Sequence, residues 1–259
     1  MKVIILCGGT GTRLKEETEF KPKPMVYIGK QPMLWHIMKI YAHYGYNEFI
    51  LALGYKANYI KEYFLNQKAF SSDFTLDTST HKTRYYLNGR SNIDNFKITF
   101  VDTGLNTLPG ERILRCQKYI PKKDNYFMVT YGDGVTNLDI NDLVKFHKKQ
   151  KTIGTIIGIH PKSKYGKLEV GQRDLVKMFS EKPIMKDWTN GGFMVFDRRF
   201  FKYLRKGETE HPALSRLTKE KQLSIFKHED FWFCMDTYKE VETLNKYWAS
   251  DNPPWKIWK

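Results

Sequence analysis

The sequence predicts an α/β protein: a mostly parallel open sheet with helices on both faces, and a smaller mixed, partly antiparallel extension in its second half. Three observations carry this. Short apolar runs alternate with helix-patterned segments through residues 1–150. Three of these runs end in residues with chemistry to offer: Leu6 in a glycine loop, Val101 in Asp102-Thr103-Gly104, and Tyr131 in Gly132-Asp133-Gly134. Beyond residue 150 apolar runs follow one another with few helices between them. Ligands of open α/β sheets bind outside the carboxyl ends of the strands. The three runs therefore point to a site along one edge.

Val3 to Leu6 is a short apolar run closed by glycines, the pattern of a buried parallel strand. Pro32 starts a helix in which Met33, Ile37, Ile40 and Tyr41 recur at three- or four-residue spacing, and Gly45 ends it. Phe49 to Leu53 is a second strand, stopped by Gly54, and Tyr59 to Gln67 reads as helix. Residues 71–95 are polar and rich in Ser, Thr and Asn, an excursion on the surface. Lys97 to Val101 and Tyr126 to Tyr131 are strands, and Leu138 to Lys149 is a helix. Thr152–Ile159, Gly166–Val170, Val176–Phe179 and Phe193–Phe196 are the strands of the second half. No Pro/Gly/Ser-rich linker divides the chain, which predicts one continuous domain over 1–259, with residues 1–150 and 151–259 as the two walls of a cleft.

A chain of 259 residues buries a sizeable core without disulfides, and 15% aromatic residues with six Trp exclude disorder. Cys7, Cys116 and Cys234 are isolated and odd in number, so they read as reduced thiols of a cytoplasmic protein. No apolar stretch reaches the length of a membrane span, and the first residues do not resemble a signal peptide. The formal charge of +15 allows attraction of a polyanion, but the lysines are dispersed and no basic arm is present. A solvated lysine surface is the reading favoured over a nucleic-acid interface.

Gly8-Gly9-Thr10-Gly11-Thr12-Arg13 directly follows the first strand. Glycines let backbone N–H groups approach phosphate oxygens closely, and Arg13 can add a charge-assisted fork. The spacing lacks the two-residue gap of a dinucleotide fingerprint and the lysine-hydroxyl end of an NTPase loop. In Lys21-Pro22-Lys23-Pro24-Met25 the prolines fix an extended backbone, so that one lysine can be held in the cleft. A fixed cation beside phosphates stabilises charge that grows during phosphoryl-type transfer. His36 lies among apolar helix positions and reads as a packed residue, not a base.

These motifs, with the GDG after a strand, Glu181-Lys182-Pro183 and Asn190-Gly191-Gly192-Phe193, resemble the sugar nucleotidylyltransferases over nearly the whole chain. Met33 to Lys39, Thr130 to Val135, Met235-Asp236-Thr237 and the terminal Pro254-Trp255-Lys256-Ile257-Trp258 are most similar to the glucose-1-phosphate cytidylyltransferase branch. The resemblance implies a Rossmann-like sheet. It implies that Leu6, Gly8, Gly9, Gly11, Thr12, Arg112 and Gly132 bind the nucleotide, with Arg13 and Lys23 on its phosphates. Asp133 and Asp236 would be ligands of Mg2+. Glu181 and Lys182 would face the sugar phosphate, and Asn190, Gly191 and Gly192 would line the hexose pocket, so that the extension forms the sugar side of the cleft. Arg13, Lys23 and Asp133 would be the catalytic residues.

The implied partners are CTP, or another nucleoside triphosphate, and a sugar-1-phosphate, in a homo-oligomer that binds no nucleic acid and inserts in no membrane. The implied setting is deoxysugar synthesis for a surface polysaccharide. One stretch departs from the branch: its usual Thr-Gly-Gly-Arg turn is here Pro109-Gly110-Glu111-Arg112, which leaves the base open. Two other functional classes fit the sequence less well. A nicotinamide-dependent oxidoreductase would need an acidic residue at the end of the second strand, where Leu53-Gly54 stands. A basic nucleic-acid-binding protein would have no use for Asp133, Glu181 and Asp236 in its cleft.

Overall fold

The computed structural model describes residues 1–86 and 94–258. Its first elements are β1 (Val3–Cys7), a single turn α1 (Lys15–Thr18), the short strands β2 (Tyr27–Ile28) and β3 (Gln31–Pro32), and α2 (Met33–His43). Pro32 sits in an extended conformation just before α2, and Gly45 beyond its end has a φ of +85°. There follow β4 (Glu48–Leu53), α3 (Ala57–Phe70), β5 (Asp73–Asp77), β6 (Lys82–Tyr86) and β7 (Lys97–Asp102). Helix α3 is longer at both ends than its apolar spacing suggests. The surface excursion is an antiparallel β5–β6 ribbon, exposed along most of its length. Residues 87–93 of that excursion lie outside the described residues.

The chain continues through α4 (Pro109–Cys116), β8 (Tyr126–Tyr131), β9 (Gly134–Thr136), α5 (Ile140–Gln150), β10 (Gly154–Ile159), β11 (Lys167–Val170), β12 (Val176–Ser180) and β13 (Thr189–Asp197). It ends with α6 (Glu210–Lys219), β14 (Leu223–Lys227), β15 (Trp232–Cys234) and α7 (Tyr238–Trp248). The second half is richer in helix than its pattern predicts, because α6 and α7 are short and amphipathic. Asp139 caps α5 by accepting the Asp142 N–H, which starts that helix two residues later than the apolar run.

Seven strands form the central sheet in the order β14-β10-β13-β8-β1-β4-β7. β1 is parallel to β4 and β8, β4 to β7, and β10 to β14. Only β13 runs against its neighbours β8 and β10. The strands of the second half therefore continue the main sheet, and the antiparallel extension is reduced to the small ribbons β11–β12 and β9–β15.

Side-chain alternation along the strands feeds two cores. Val3, Ile5 and Cys7 of β1 and Phe49, Leu51 and Leu53 of β4 face α2, α5 and α7. Ile4, Ile50 and Ala52 face α4 and α6, through Ile113, Cys116, Ala213 and Leu217. This period-two division, with helices on both faces, is what a parallel strand buried on two sides requires. Among the described residues no helix is long and apolar enough to cross a membrane.

Candidate active site

The glycine loop leaves β1 at the carboxyl edge of the sheet and forms one wall of a cavity of about 460 Å³, closed by Lys23, Pro24, residues 105–109, Arg112 and Tyr131 to Asp133. Leu6, Gly8, Gly9, Gly11 and Gly132 line it. At Gly8 a side chain has no room: a Cβ would stand 2.2 Å from Nη1 of Arg112. Arg112, 3% exposed, enters from α4 beneath the loop. Its guanidinium donates to the carbonyls of Gly8 and Leu105 at 3.0 Å, Leu53 at 3.0 Å and Gly104 at 2.8 Å, and to the Thr103 hydroxyl. The fork thus ties the ends of β1, β4 and β7 together through bonds to the protein itself, while Arg112 also lines the cavity. The stretch expected as a turn, Pro109 to Arg112, is the first turn of α4. Proline is well suited to that position because its missing N–H has no partner there in any case.

Lys23 is held between two carboxylates. Its ammonium donates to Oδ2 of Asp133 at 2.5 Å and to Oδ1 of Asp236 at 2.8 Å. Asp133 follows β8, and Asp236 follows β15, which pairs with β9 directly after Asp133. That pairing brings together residues 103 positions apart in the chain. Burial would lower the Lys23 pKa, but Asp133 and Asp236 raise it above the ordinary lysine value. Burial would likewise raise Asp236; hydrogen bonding and charge from Lys23, then Arg13 and Lys164, hold it below the ordinary carboxylate value. Arg13 donates to Oδ2 of Asp236 at 2.9 Å and Lys164 lies 3.7 Å from the same atom. Asp133, Asp236 and the sulfur of Cys234 converge closely enough to hold one metal ion. Burial pushes the Cys234 thiol up, with Asp133 adding to the effect, and the two carboxylates supply the hard oxygen donors of the group. Glu240 fixes the backbone here by accepting the N–H groups of Asp236 and Thr237 at 2.6 and 2.7 Å.

A second chamber of about 310 Å³ adjoins the first, and Tyr131 and Asp133 line both. Asn190, Gly191 and Gly192 form its wall because β13 runs backwards, which puts its first residues at the carboxyl edge of β8. Gly192 has φ +83° and packs so tightly on Tyr131 that a Cβ would stand 2.5 Å from the ring. Trp232 donates to the Gly191 carbonyl at 2.7 Å, and the Gly192 N–H donates to Asn190. Glu210 at the start of α6 completes the wall and accepts the Tyr131 hydroxyl. Nothing in the sequence marks Glu210, Trp232, Lys164 or Glu240 for the site: Glu210 and Glu240 sit in ordinary helix starts, Trp232 opens the three-residue strand β15, and Lys164 lies in a short connection.

The remaining expected residues stand apart. Thr12 is exposed beyond the loop, and Arg13 reaches the site only through Asp236. Glu181 and Lys182 follow β12, pair with each other at 3.5 Å, and line neither chamber. Their ribbon approaches the site at its base, where Lys164 meets Asp236. His36 is buried and bonded to the Ile28 carbonyl, and burial pushes it down to about 4, as suits a packed residue.

The nucleotidyl transferase family model matches residues 2–249. Over the whole of both chains, the protein is 43% identical to the Bacillus subtilis protein named "Probable glucose-1-phosphate cytidylyltransferase". It is 39% identical, again over both full lengths, to glucose-1-phosphate cytidylyltransferase of Salmonella typhi. The solved structure of HddC from Yersinia pseudotuberculosis superposes with a TM-score of 0.68 at 23% identity, covering 96% of this chain and 99% of that one, and shares the fold. The chain thus belongs to the nucleotidyl transferase family, among its glucose-1-phosphate cytidylyltransferases.

Proposed function

We propose that the protein transfers the cytidylyl group of CTP to α-D-glucose-1-phosphate, forming CDP-glucose and pyrophosphate. One observation carries this reading: two chambers, one walled by a glycine loop and one by Asn190 to Gly192, meet at Asp133, with Lys23 bridging Asp133 and Asp236. The family and the relatives' names support the substrates. The sugar phosphate oxygen attacks the α-phosphorus in line; a new P–O bond forms, the bond to the β-phosphate oxygen breaks, and pyrophosphate leaves with that electron pair. The nucleophile is already anionic, so no general base is needed. The site's work is to align the reactants and to stabilise negative charge.

The carboxylate pair fits Mg2+: two oxygen donors converge on one point, and a cation, the Lys23 ammonium, already rests between them. Asp133 and Asp236 would hold the ion, which when bound offsets the charge of the triphosphate. Gly9 and Gly11 give the phosphates a backbone-lined wall, Lys23 and Arg13 place cations at the junction of the chambers, and Asn190 to Gly192 receive the hexose. Glu181 and Lys182 would act from the rim through the β11–β12 ribbon. A cytoplasmic homo-oligomer serving polysaccharide deoxysugar synthesis completes the proposal. Apolar side chains on the exposed ribbons, among them Phe74, Leu76, Leu168 and Phe179, support self-association.

The test is pyrophosphate release across four nucleoside triphosphates and a panel of sugar-1-phosphates. The expected result is turnover with CTP and glucose-1-phosphate well above every other pair. Release with none of them overturns the reading, and preference for another base or sugar corrects the substrate.

A further inference from the structure

Helix α4 supplies residues to two cavities. Arg112 lines the chamber of the glycine loop, whereas Glu111, Leu114 and Arg115 line a separate cavity of about 880 Å³. The walls of that cavity come from the end of β7, from α4 and the segment 117–122 that follows it, and from residues just after β13 and just before α6. None of its residues lines either chamber of the cleft.

This cavity collects positive charge. Five cations, Arg115, Lys118, Lys122, Arg198 and Lys206, stand against two carboxylates, Asp102 and Glu111, an excess of three. Both carboxylates are engaged within the protein. Glu111 accepts the Arg115 guanidinium and the Gly207 N–H, each at 2.8 Å, and Asp102 accepts the Gly104 N–H at 2.9 Å. Among the described residues Lys118, Lys122 and Lys206 have no carboxylate within ion-pair distance. Like charges gathered around one cavity repel each other, and a shared anion relieves that repulsion.

The rest of the lining is largely apolar, with Leu114, Tyr119, Ile120 and Pro121 prominent. Arg198 fixes this part by donating to the carbonyls of Ile120 and Pro121 at 3.1 and 2.8 Å. The Lys118 ammonium stands 5.1 Å from the centre of the Tyr119 ring, so a cation and an aromatic side chain meet at one point of the wall. An inorganic anion would use the cations and leave the apolar lining idle. A nucleotide uses both, with phosphates on the lysines and a ring against the apolar side chains.

We propose that this cavity binds a nucleoside diphosphate at a site distinct from the cleft, its phosphates on Lys118 and Lys122 and its base or ribose against Tyr119 and Pro121. The inference stands on the cavity itself and does not require the transferase reading.

Calorimetric titration of CDP into the full chain tests it, beside the paired variants Lys118→Ala/Lys122→Ala and Lys118→Arg/Lys122→Arg. Both lysines are exposed, so all three proteins should share one unfolding midpoint. Loss of two charge-assisted contacts should weaken the site roughly a hundredfold. The alanine pair should therefore bind one equivalent of CDP fewer than the wild type, while the arginine pair keeps the full number. Inorganic pyrophosphate should bind this site roughly tenfold more weakly than CDP, because it makes no ring contact. Equal numbers of CDP equivalents in the wild type and the alanine pair overturn the site, and so does a loss shared by the arginine pair. Pyrophosphate bound as tightly as CDP overturns the nucleoside assignment. Turnover of CTP and glucose-1-phosphate, measured without added CDP, should agree within about twofold between the wild type and the alanine pair, since both lysines lie outside the cleft. A larger fall overturns the separateness of the site, and absence of turnover in all three proteins counts against the transferase reading alone.

Discussion

At the junction of the chambers the Lys23 ammonium touches both Asp133 and Asp236, so its removal does two things. It takes away the cation that the proposed reaction sets beside the phosphates, and it leaves two carboxylates facing each other. Lys23→Ala should therefore lower kcat by roughly 10²–10³ or more, as deletion of one pre-aimed charge does, with the far-ultraviolet dichroism unchanged. Near-wild-type turnover in that variant would remove Lys23 from the mechanism. Arg112 answers to a different test. Lysine cannot reproduce a guanidinium fork, so Arg112→Lys leaves carbonyls of Gly8, Leu53, Gly104 and Leu105 short of donors, at roughly 1–3 kcal/mol for each acceptor left fully unpaired. The expected outcome is a lower unfolding midpoint together with a raised KM for CTP. A variant that loses CTP affinity at full stability would show that Arg112 acts on the nucleotide directly.

Among the elements, β13 and α4 do most to shape the cleft. β13 is antiparallel in a sheet whose other strands share one direction, and this reversal sets Asn190 to Gly192 beside Tyr131. Its cost is a glycine at φ +83° pressed on an aromatic ring. Gly192→Ala meets both an unfavourable backbone and a clash, so it should lower stability by about 1–3 kcal/mol and raise KM for the sugar phosphate more than KM for CTP. Equal effects on the two KM values would contradict the proposed sugar-binding role of the second chamber's Gly192 wall. Six strands of the central sheet, β1, β4, β7, β8, β10 and β13, and α2 are legible in the sequence because their apolar runs are uninterrupted, whereas β14 at the sheet's edge carries no such run and does not read as a strand. α4 is hidden because Pro109 and Gly110 read together as a turn; proline also suits a first helical turn, but the glycine after it is explained only by packing against the loop at 208–209. Glu181 and Lys182 were legible as a motif, yet their place on a ribbon at the rim follows from the β11–β12 hairpin, which no local pattern fixes.

Over the whole molecule, two buried imidazoles set the response to acid. Burial pushes His36 and His147 down from 6.5 to about 4. The unfolded chain takes up a proton at each as pH falls through about 6.5, whereas the folded chain resists until about 4. The unfolded state thus binds more protons across that window, and stability falls as pH falls through it. Urea midpoints should drop steadily from pH 7 to pH 4.5, and replacing His36 by Phe should flatten the slope; a flat profile in the wild type contradicts the linkage. The net charge of +15 is distributed over the surface, but three cations, Arg13, Lys23 and Lys164, converge on Asp236. This gathering of positive charge at the cleft is the part of the excess that bears on a polyphosphate substrate.

The sequence by itself determined the alternation of strands and helices, the glycine loop after the first strand, and Lys23 and Asp133 as residues to watch, whereas Asp236 enters only through the resemblance of Met235-Asp236-Thr237 to the family. The first of these are local patterns, or motifs short enough to carry their own chemistry. Only the tertiary structure decided that β15 pairs with β9 and so joins Asp236 to Asp133, that Arg112 turns inward, and that Glu210 enters the second chamber. Each of these depends on contacts between residues far apart in the chain, whose pairing is set by strand order and by the packing of α4 on α6. No period or propensity within a single segment contains that information.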